Sequence, residues 1–323
     1  DGVVVMNFSL NSVNTLYDSM QSIAITLVLV LGLIILVISV LYSGQVVMPM
    51  KEVAGSIAMI SSGDFNETMQ ITGYSEAEDI SDKFNSMLSV LQNLEDARQE
   101  FVSNVSHELK TPITSVKVLA ESLIGQENVP VELYQEFMVD INEELERMNK
   151  IINDLLTLVK MDKNASEVNI SEVNINEFLE AILKQLQPIA DKRNIEMIFE
   201  SVRSVTAQVD EVKLAMAFRN LIENAIKYNK EDGWVHVSLN ADHQYFYLKV
   251  EDSGIGIPED SLGHIYERFY RVDKSHSREI GGTGLGLAIT RNAVLMHRGA
   301  IKVFSTEGEG TIFNVRIPLN YIS

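Results

Sequence analysis

The sequence predicts a multidomain fold: a transmembrane helix, an all-α coiled-coil and four-helix-bundle dimerisation region, then an α/β sandwich. Three observations predict it. Ile23 to Tyr42 is an uncharged run rich in Leu, Ile and Val. Between Ile80 and Val159, apolar residues recur in steps of four and three, the spacing of a coiled-coil seam. From Ile175 to Pro318 the apolar pattern switches between helix and strand periods, with glycine-rich turns between them.

Composition narrows the field. The chain has 323 residues, enough for two or three units at roughly 100–150 residues each. A net charge of −19 with no basic stripe excludes nucleic acid as a partner. With no cysteine, disulfides, thiolate zinc sites and cysteine catalysis are excluded.

At a rise of about 1.5 Å per residue, the Ile23–Tyr42 run matches a hydrocarbon core of about 30 Å. A cleaved signal peptide fits poorly, because no Lys or Arg precedes the run and no small-residue cleavage site follows it. A buried core helix would show a polar face. Residues 1–22 carry Asp1 and Asp18 but no Lys or Arg, and Lys51 is the first basic residue, which places the C-terminal part in the cytoplasm. Residues 1–22 are then an extracytoplasmic stub of a sensor region that continues upstream of Asp1.

Pro49 follows the span. A short amphipathic helix runs to about Ser62 with Val53, Ile57 and Ile60 on one face, and Ser61-Ser62-Gly63 stops it. A polar connector with Gly73 leads to a helix bearing Ile80, Phe84, Met87, Leu91 and Leu94. The seam skips Arg98, resumes at Phe101 and Val105, and runs without a breaker into His107.

The stretch from Phe101 to Pro112 holds a histidine, a carboxylate directly after it, and Thr111 and Pro112 shortly beyond. A neutral imidazole is a good nucleophile toward phosphorus, and Glu108 can accept the proton on its far nitrogen. Pro112 lacks an N–H, so the helix can bend there. A solvated helix residue is the plain alternative for His107. By the register His107 lies beside the seam residue Val105, which predicts an accessible ring. Ile113, Val116, Leu119 and Leu123 continue the apolar face, Gly125 to Pro130 is a turn, and a second helix carries Ile141, Leu145, Met148, Ile152, Leu155 and Val159. Such a hairpin cannot bury its apolar face alone, whereas two copies can, so a homodimer through residues 97–161 is expected.

Lys163 to Ser171 is a polar linker. Beyond it the pattern predicts helices over 175–191, 212–228 and 285–297, and strands over 195–201, 205–209, 234–240, 245–252, 300–305 and 310–318.

Four motifs in this last region point to a nucleotide. Asn220, Asn224, Lys227 and Tyr228 share one helix face, where amides, a cation and an aromatic can hold a metal, a phosphate and a ring. Mg²⁺ keeps several waters, so one Asn plus phosphate oxygens suffices. An ordinary amphipathic helix is the alternative. Asp252-Ser-Gly254-Ile-Gly256-Ile257 sits at a strand end, where Asp252 can accept from an exocyclic amine such as that of adenine. A simple turn is its alternative. Gly281-Gly282-Thr283-Gly284-Leu285-Gly286 opens onto a helix and makes an anion site from backbone N–H groups. It has neither the Walker nor the dinucleotide spacing. The charged segment Asp273 to Glu279 reads as a lid over a nucleotide, or as a solvated loop. The fourth motif, Thr306-Glu-Gly-Glu-Gly-Thr311, joins the last strands, and its favoured alternative is a tight hairpin turn that needs no ligand.

Together these motifs resemble a known family. The His107 segment resembles the H box of bacterial sensor histidine kinases. Asn220–Tyr228, Asp252–Ile257, Glu267–Arg271 and Gly282–Gly286 resemble its N, G1, F and G2 boxes, in the family's order. Residues 43–96 resemble the HAMP relay module, with Pro49 and Glu76 at its proline and acidic positions and Glu78 in place of its glycine. The resemblance implies the ATP-binding sandwich shared with gyrase-type, heat-shock and mismatch-repair ATPases. It implies domains at 1–22 (stub), 23–42 (span), 43–96 (relay), 97–162 (dimerisation and phosphotransfer) and 163–323 (ATP binding). His107 is then the phosphoacceptor, Glu108 its base, and Thr111 the residue that orients water in phosphatase action. Asn224 is the Mg²⁺ ligand with Asn220 nearby. Lys227, Arg268 and Arg271 contact phosphate, and Tyr228 and Asp252 contact adenine. Gly254, Gly256, Ile257, Phe269, Gly282, Thr283, Gly284, Leu285, Gly286 and Thr311 complete the ATP site. The implied activity is ATP-dependent autophosphorylation and transfer to a response regulator's aspartate, at the bacterial plasma membrane. A hydrolytic ATPase of the same fold would leave the His107 hairpin unexplained, and a non-enzymatic membrane scaffold would leave Asn224, Asp252 and the glycine loop unexplained. His236, His243, His264, His276 and His297 lack partners at metal spacing and read as surface or structural.

Overall fold

The computed structural model describes residues 2–4, 6, 10–44, 51, 54–55, 75–125, 129–163, 168–272 and 282–321. The expected helix up to Ser62, the Gly73 connector, most of the relay module, the centre of the Gly125–Pro130 turn and the Asp273–Glu279 segment lie outside them. The chain divides into two units, residues 1–100 and 101–323.

The first unit begins with helix α1, Asn11–Tyr42, whose thirty-two residues contain the apolar run and are long and apolar enough to cross a membrane. It starts twelve residues before the run, because the polar residues ahead of Ile23 contain no Gly or Pro to stop it. Helix α2, Ser75–Ile124, passes from this unit into the second and continues through Pro112. Ile80, Met87 and Leu94 are exposed along its first half, seven residues apart.

In the second unit, α2 is followed by helix α3, Val131–Lys163, which opens just after Pro130. Its Met138, Leu145, Ile152 and Val159 recur every seventh residue and are all exposed, while Ile151, Leu158 and Met161 are buried. The expected linker ends earlier than the sequence suggested. Ser171 already belongs to strand β1, Ser171–Asn174, which pairs antiparallel with β3, Thr206–Val209. The stretch Ser-Glu-Val-Asn has one apolar side chain, too few to show a period.

The remaining elements are α4 (Ile175–Asp191), β2 (Glu196–Ser201), α5 (Glu211–Lys227), β4 (Trp234–Ala241), β5 (Tyr245–Asp252), a short α6 (Glu259–Leu262), α7 (Gly286–Met296), β6 (Ala300–Thr306) and β7 (Gly310–Pro318). Five strands form a sheet in the order β2-β4-β5-β7-β6, parallel between β2 and β4 and antiparallel elsewhere. Strand alternation sends Val235, Val237, Leu239, Phe246, Leu248 and Val250 into the core and leaves Trp234 and Tyr247 exposed. The helices bury Phe178, Leu179 and Leu186 from α4 and Leu214, Phe218, Leu221 and Ile222 from α5 in the same cluster. Phe218 lies between Phe178 (6.0 Å) and the edge-on ring of Phe246 (6.5 Å). Each large side chain withdrawn this fully contributes about 1.5–3 kcal/mol. The α/β sandwich is therefore a helix layer on one face of a mixed sheet.

Caps fix the helix ends that bear on the site. Asp210 accepts from the Lys213 N–H (3.1 Å) at the start of α5. At its other end the Arg193 guanidinium donates to the carbonyls of Ile226, Lys227 and Asn229, which would otherwise lack partners. His297 is structural: buried, its Nε2 accepts from the Asp210 N–H (2.9 Å) and its Nδ1 meets the Ala293 carbonyl (2.7 Å).

Candidate functional site

Helix α5 buries Leu214, Ala217, Phe218, Leu221 and Ala225 on one side. The helical period therefore turns Asn220, Glu223, Asn224 and Lys227 to the other, with Tyr228 as the C-cap residue. There a cavity of about 430 Å³ opens between α5, the end of β5 and the glycine loop before α7. Of the residues singled out in the sequence, Asn220, Asn224, Lys227, Tyr228, Asp252, Gly256, Ile257, Arg271, Gly282, Thr283, Gly284, Gly286 and Thr311 line it.

Asp252 forms its floor. Oδ1 accepts from the N–H groups of Gly254 (2.9 Å) and Thr311 (3.2 Å). Oδ2 makes no hydrogen bond among the described residues and is left to the cavity. Burial outweighs these two hydrogen bonds and pushes the carboxyl up to about 6. Thr311 thus acts as a buttress: its Oγ1 pairs with Ser305 Oγ (2.9 Å), and that hydroxyl also accepts from the Ile257 N–H (2.8 Å). The Thr306–Thr311 hairpin, expected to need no ligand, ends in a residue that fixes the floor. Ile255, Ile265, Leu287 and Phe313 supply apolar wall, a surface suited to a flat heteroaromatic ring.

Gly254 and Leu285 do not line the cavity. A Cβ on Gly254 would collide with the Tyr228 carbonyl, so this glycine lets β5 pass close beneath α5. Leu285 is wholly buried and anchors the loop in the core. Gly284 has φ +68°, and a Cβ there would stand 2.8 Å from Phe269 Cα. Phe269 is itself left-handed (φ 64°), and its N–H donates to the Gly284 carbonyl at 2.9 Å. The two loops lock each other.

That reversal at Phe269 splits the expected phosphate contacts. Arg271 faces the cavity. Arg268 and Phe269 turn instead to Phe101 of α2, the guanidinium 5.4 Å and the ring 5.9 Å from its centroid. His107, six residues further along the same helix, is exposed. Thr111 Oγ1 donates to the His107 carbonyl at 3.1 Å. Glu108 makes no hydrogen bond to the His107 ring, because consecutive helical residues point about 100° apart. Burial lowers the Arg271 guanidinium from its usual range, and the charge of Glu108 opposes that shift in part.

Burial, with the charges of Lys150, Arg271 and Arg147, lowers Lys227 to about 8. Lys150, Lys227 and Arg271 thus bring three cations to a cavity also lined by Asp154, Glu223 and Asp252, and such cations can meet the phosphates of a polyanion. The Asn224 amide lines the cavity and makes no hydrogen bond among the described residues, so its oxygen is available to a metal. One amide oxygen beside phosphate oxygens and waters fits Mg²⁺.

Residues 209–321 match the family model of histidine kinase-, DNA gyrase B- and HSP90-like ATPases, and residues 97–164 match the His kinase A phospho-acceptor domain. The chain is 36% identical over 285 residues to the sensor protein kinase WalK of Staphylococcus epidermidis, covering 87% of this chain and 45% of that protein. It is 37% identical over 278 residues to a Staphylococcus aureus WalK, covering 84% and 65%. The chain belongs to the sensor histidine kinases. Among solved structures, the histidine kinase ShkA in complex with AMPPNP is similar at 25% identity and TM-score 0.52, covering 69% of this chain and 46% of that one. The chain spans less than two thirds of the length of these WalK relatives.

The family's motifs did not mark Lys150 and Asp154, which reach the cavity of this sensor histidine kinase from α3. Lys150 Nζ lies 3.0 Å from Glu223 Oε1. Thr283 Oγ1 donates to Asp154 Oδ2 at 2.9 Å, and burial raises the Asp154 carboxyl. Their i, i+4 spacing was visible in the sequence, but their own seam pattern explained the helix without them.

Proposed function

We propose that this chain is a membrane-bound, homodimeric sensor kinase that phosphorylates His107 from ATP and passes the phosphoryl group to an aspartate of a separate response regulator, which it also dephosphorylates. The observation that carries this reading is the one-sided hydrogen bonding of Asp252. Its saturated Oδ1 and open Oδ2, beside an apolar wall, select a flat ring with an exocyclic amine, as in adenine. Asn220, Asn224, Lys227, Arg271 and the glycine loop then follow the phosphates outward.

A ring nitrogen of the exposed His107 attacks the γ-phosphorus in line. The N–P bond forms, the bond to the bridging β–γ oxygen breaks, ADP leaves, and the proton on the far ring nitrogen passes to Glu108 once a side-chain rotation turns that carboxylate from Arg271 to the ring. Most of the acceleration comes from positioning and charge neutralisation. Mg²⁺ held by Asn224 would neutralise charge on the phosphates. Thr111 already donates to a backbone carbonyl, and its oxygen lone pairs remain for a water in the phosphatase reaction.

A second copy of the chain is the natural cover for the exposed Met138, Leu145, Ile152 and Val159 stripe. The apolar α1 supports a membrane span at 23–42, and the charge asymmetry supports a cytoplasmic C-terminal part. We retain 43–96, 97–162 and 163–323 as the relay, phosphotransfer and ATP-binding domains.

Incubation with γ-labelled ATP tests the reading. Acid-labile label on the protein that is lost in both His107→Gln and Asn224→Ala is the expected result. Phosphate release without labelled protein would favour a hydrolytic ATPase instead.

A further inference from the structure

Two contacts tie helix α3 to the nucleotide cavity, and the residues that make them from α3, Lys150 and Asp154, lie outside every motif that the nucleotide reading uses. Lys150 and Asp154 stand one turn apart on the same face of α3, and both line the cavity. Asp154 accepts from Thr283 in the glycine loop, and Thr283 Oγ1 in turn accepts from the Leu285 N–H (3.3 Å). Lys150 reaches α5, where Nζ meets Glu223 at 3.0 Å, next to Asn224 in the chain. Helix α3 thus touches both the glycine loop and α5, two elements that supply polar lining to the cavity.

We infer that α3 forms a wall of the nucleotide site and that Lys150 is a phosphate-binding residue, held ready by Glu223. The inference rests on the ATP-site reading above and deepens it. Lys150 has three donors, so it can keep Glu223 while turning another N–H toward a phosphate oxygen. Its side chain is 49% exposed, which leaves it mobile enough to do so. Lys227 holds its proton less tightly than usual, first through burial and then through the charge of Lys150, which places the two cations within reach of one anion. Arg147, one turn before Lys150 on α3, adds to the same field. The plain alternative is a surface ion pair between Lys150 and Glu223 that leaves nucleotide affinity unchanged. Under the inference, by contrast, a bound triphosphate bonds the helix of the phosphotransfer hairpin to the ATP-binding domain.

The test measures ATP, ADP and adenosine affinities of the full chain in detergent by calorimetry, for the unsubstituted protein, Lys150→Gln and Lys150→Arg. Loss of one charge-assisted phosphate contact should weaken ATP and ADP about tenfold in Lys150→Gln. Adenosine affinity should not change, and Lys150→Arg should retain most ATP affinity. Unchanged ATP affinity in Lys150→Gln, or an equal loss for adenosine, would overturn the inference while leaving the nucleotide site intact. Failure of the unsubstituted chain to bind ATP would overturn the site reading and this inference together.

Discussion

Thr311 on β7 lies directly across from Asp252 on β5, and its N–H donates to Asp252 Oδ1 at 3.2 Å. The Gly254 N–H occupies the same oxygen. A sheet register therefore decides which carboxylate oxygen a ligand can use. In Asp252→Asn the amide oxygen stays on those two N–H groups and its NH₂ faces the ligand's amine. Donor then meets donor, and ATP affinity should fall about ten- to hundredfold by titration.

Acidity should reproduce that loss. With Oδ1 filled, a proton on Asp252 goes to Oδ2 and blocks the acceptor. Because burial places this carboxyl at about 6, ATP affinity should fall as pH drops through 6. At the other end, Lys227 at about 8 loses its charge in the nucleotide-free protein as pH rises, which should weaken phosphate binding above pH 8. A calorimetric pH series with no decline on the acid side would contradict the assignment of Oδ2.

Stability has the opposite dependence at Asp252. A raised carboxyl means that the fold prefers the neutral form. The destabilisation is absent below the ordinary value of 3.8 and complete above about 6. Without nucleotide, Asp252→Asn should therefore melt higher than the unsubstituted chain at pH 7 and match it near pH 4.

Gly284→Ala combines a left-handed backbone with a Cβ forced against Phe269. It should cost about 1–3 kcal/mol in thermal unfolding and abolish ATP binding. Gly263→Ala is the control: nothing lies within 4 Å of its Cβ and its φ of −67° suits any residue. It should stay within about 0.5 kcal/mol.

The stripe on α3 predicts assembly. Ile152→Glu places a charge in the middle of Met138, Leu145 and Val159, and should convert a dimer to a monomer in sedimentation. A dimer that survives it would exclude this face as the contact.

Much of the molecule was legible in its residues. The helix over 175–191 and the strands over 245–252 and 310–318 were read to their ends, because Asn174 caps the one and clear alternation marks the others. Asn220, Asn224, Lys227 and Tyr228 were placed together because helical spacing is local geometry. Strand β1 was missed because a short polar strand has no period of its own; its pairing with β3 creates it.

The sequence by itself determined the apolar span, the seven-residue stripes, the α/β order and the residue types of the site, since each follows from chain-local periodicity. Only the tertiary structure decided which groups meet. It turned Arg268 to Phe101 and Arg271 to the cavity, because one left-handed residue at Phe269 reverses the chain between them. It left Asp252 one open oxygen, because Thr311 arrives from a strand fifty-nine residues away. It brought Lys150 and Asp154 to a site built from another domain. Such contacts depend on packing between distant segments, and no spacing along the chain encodes them.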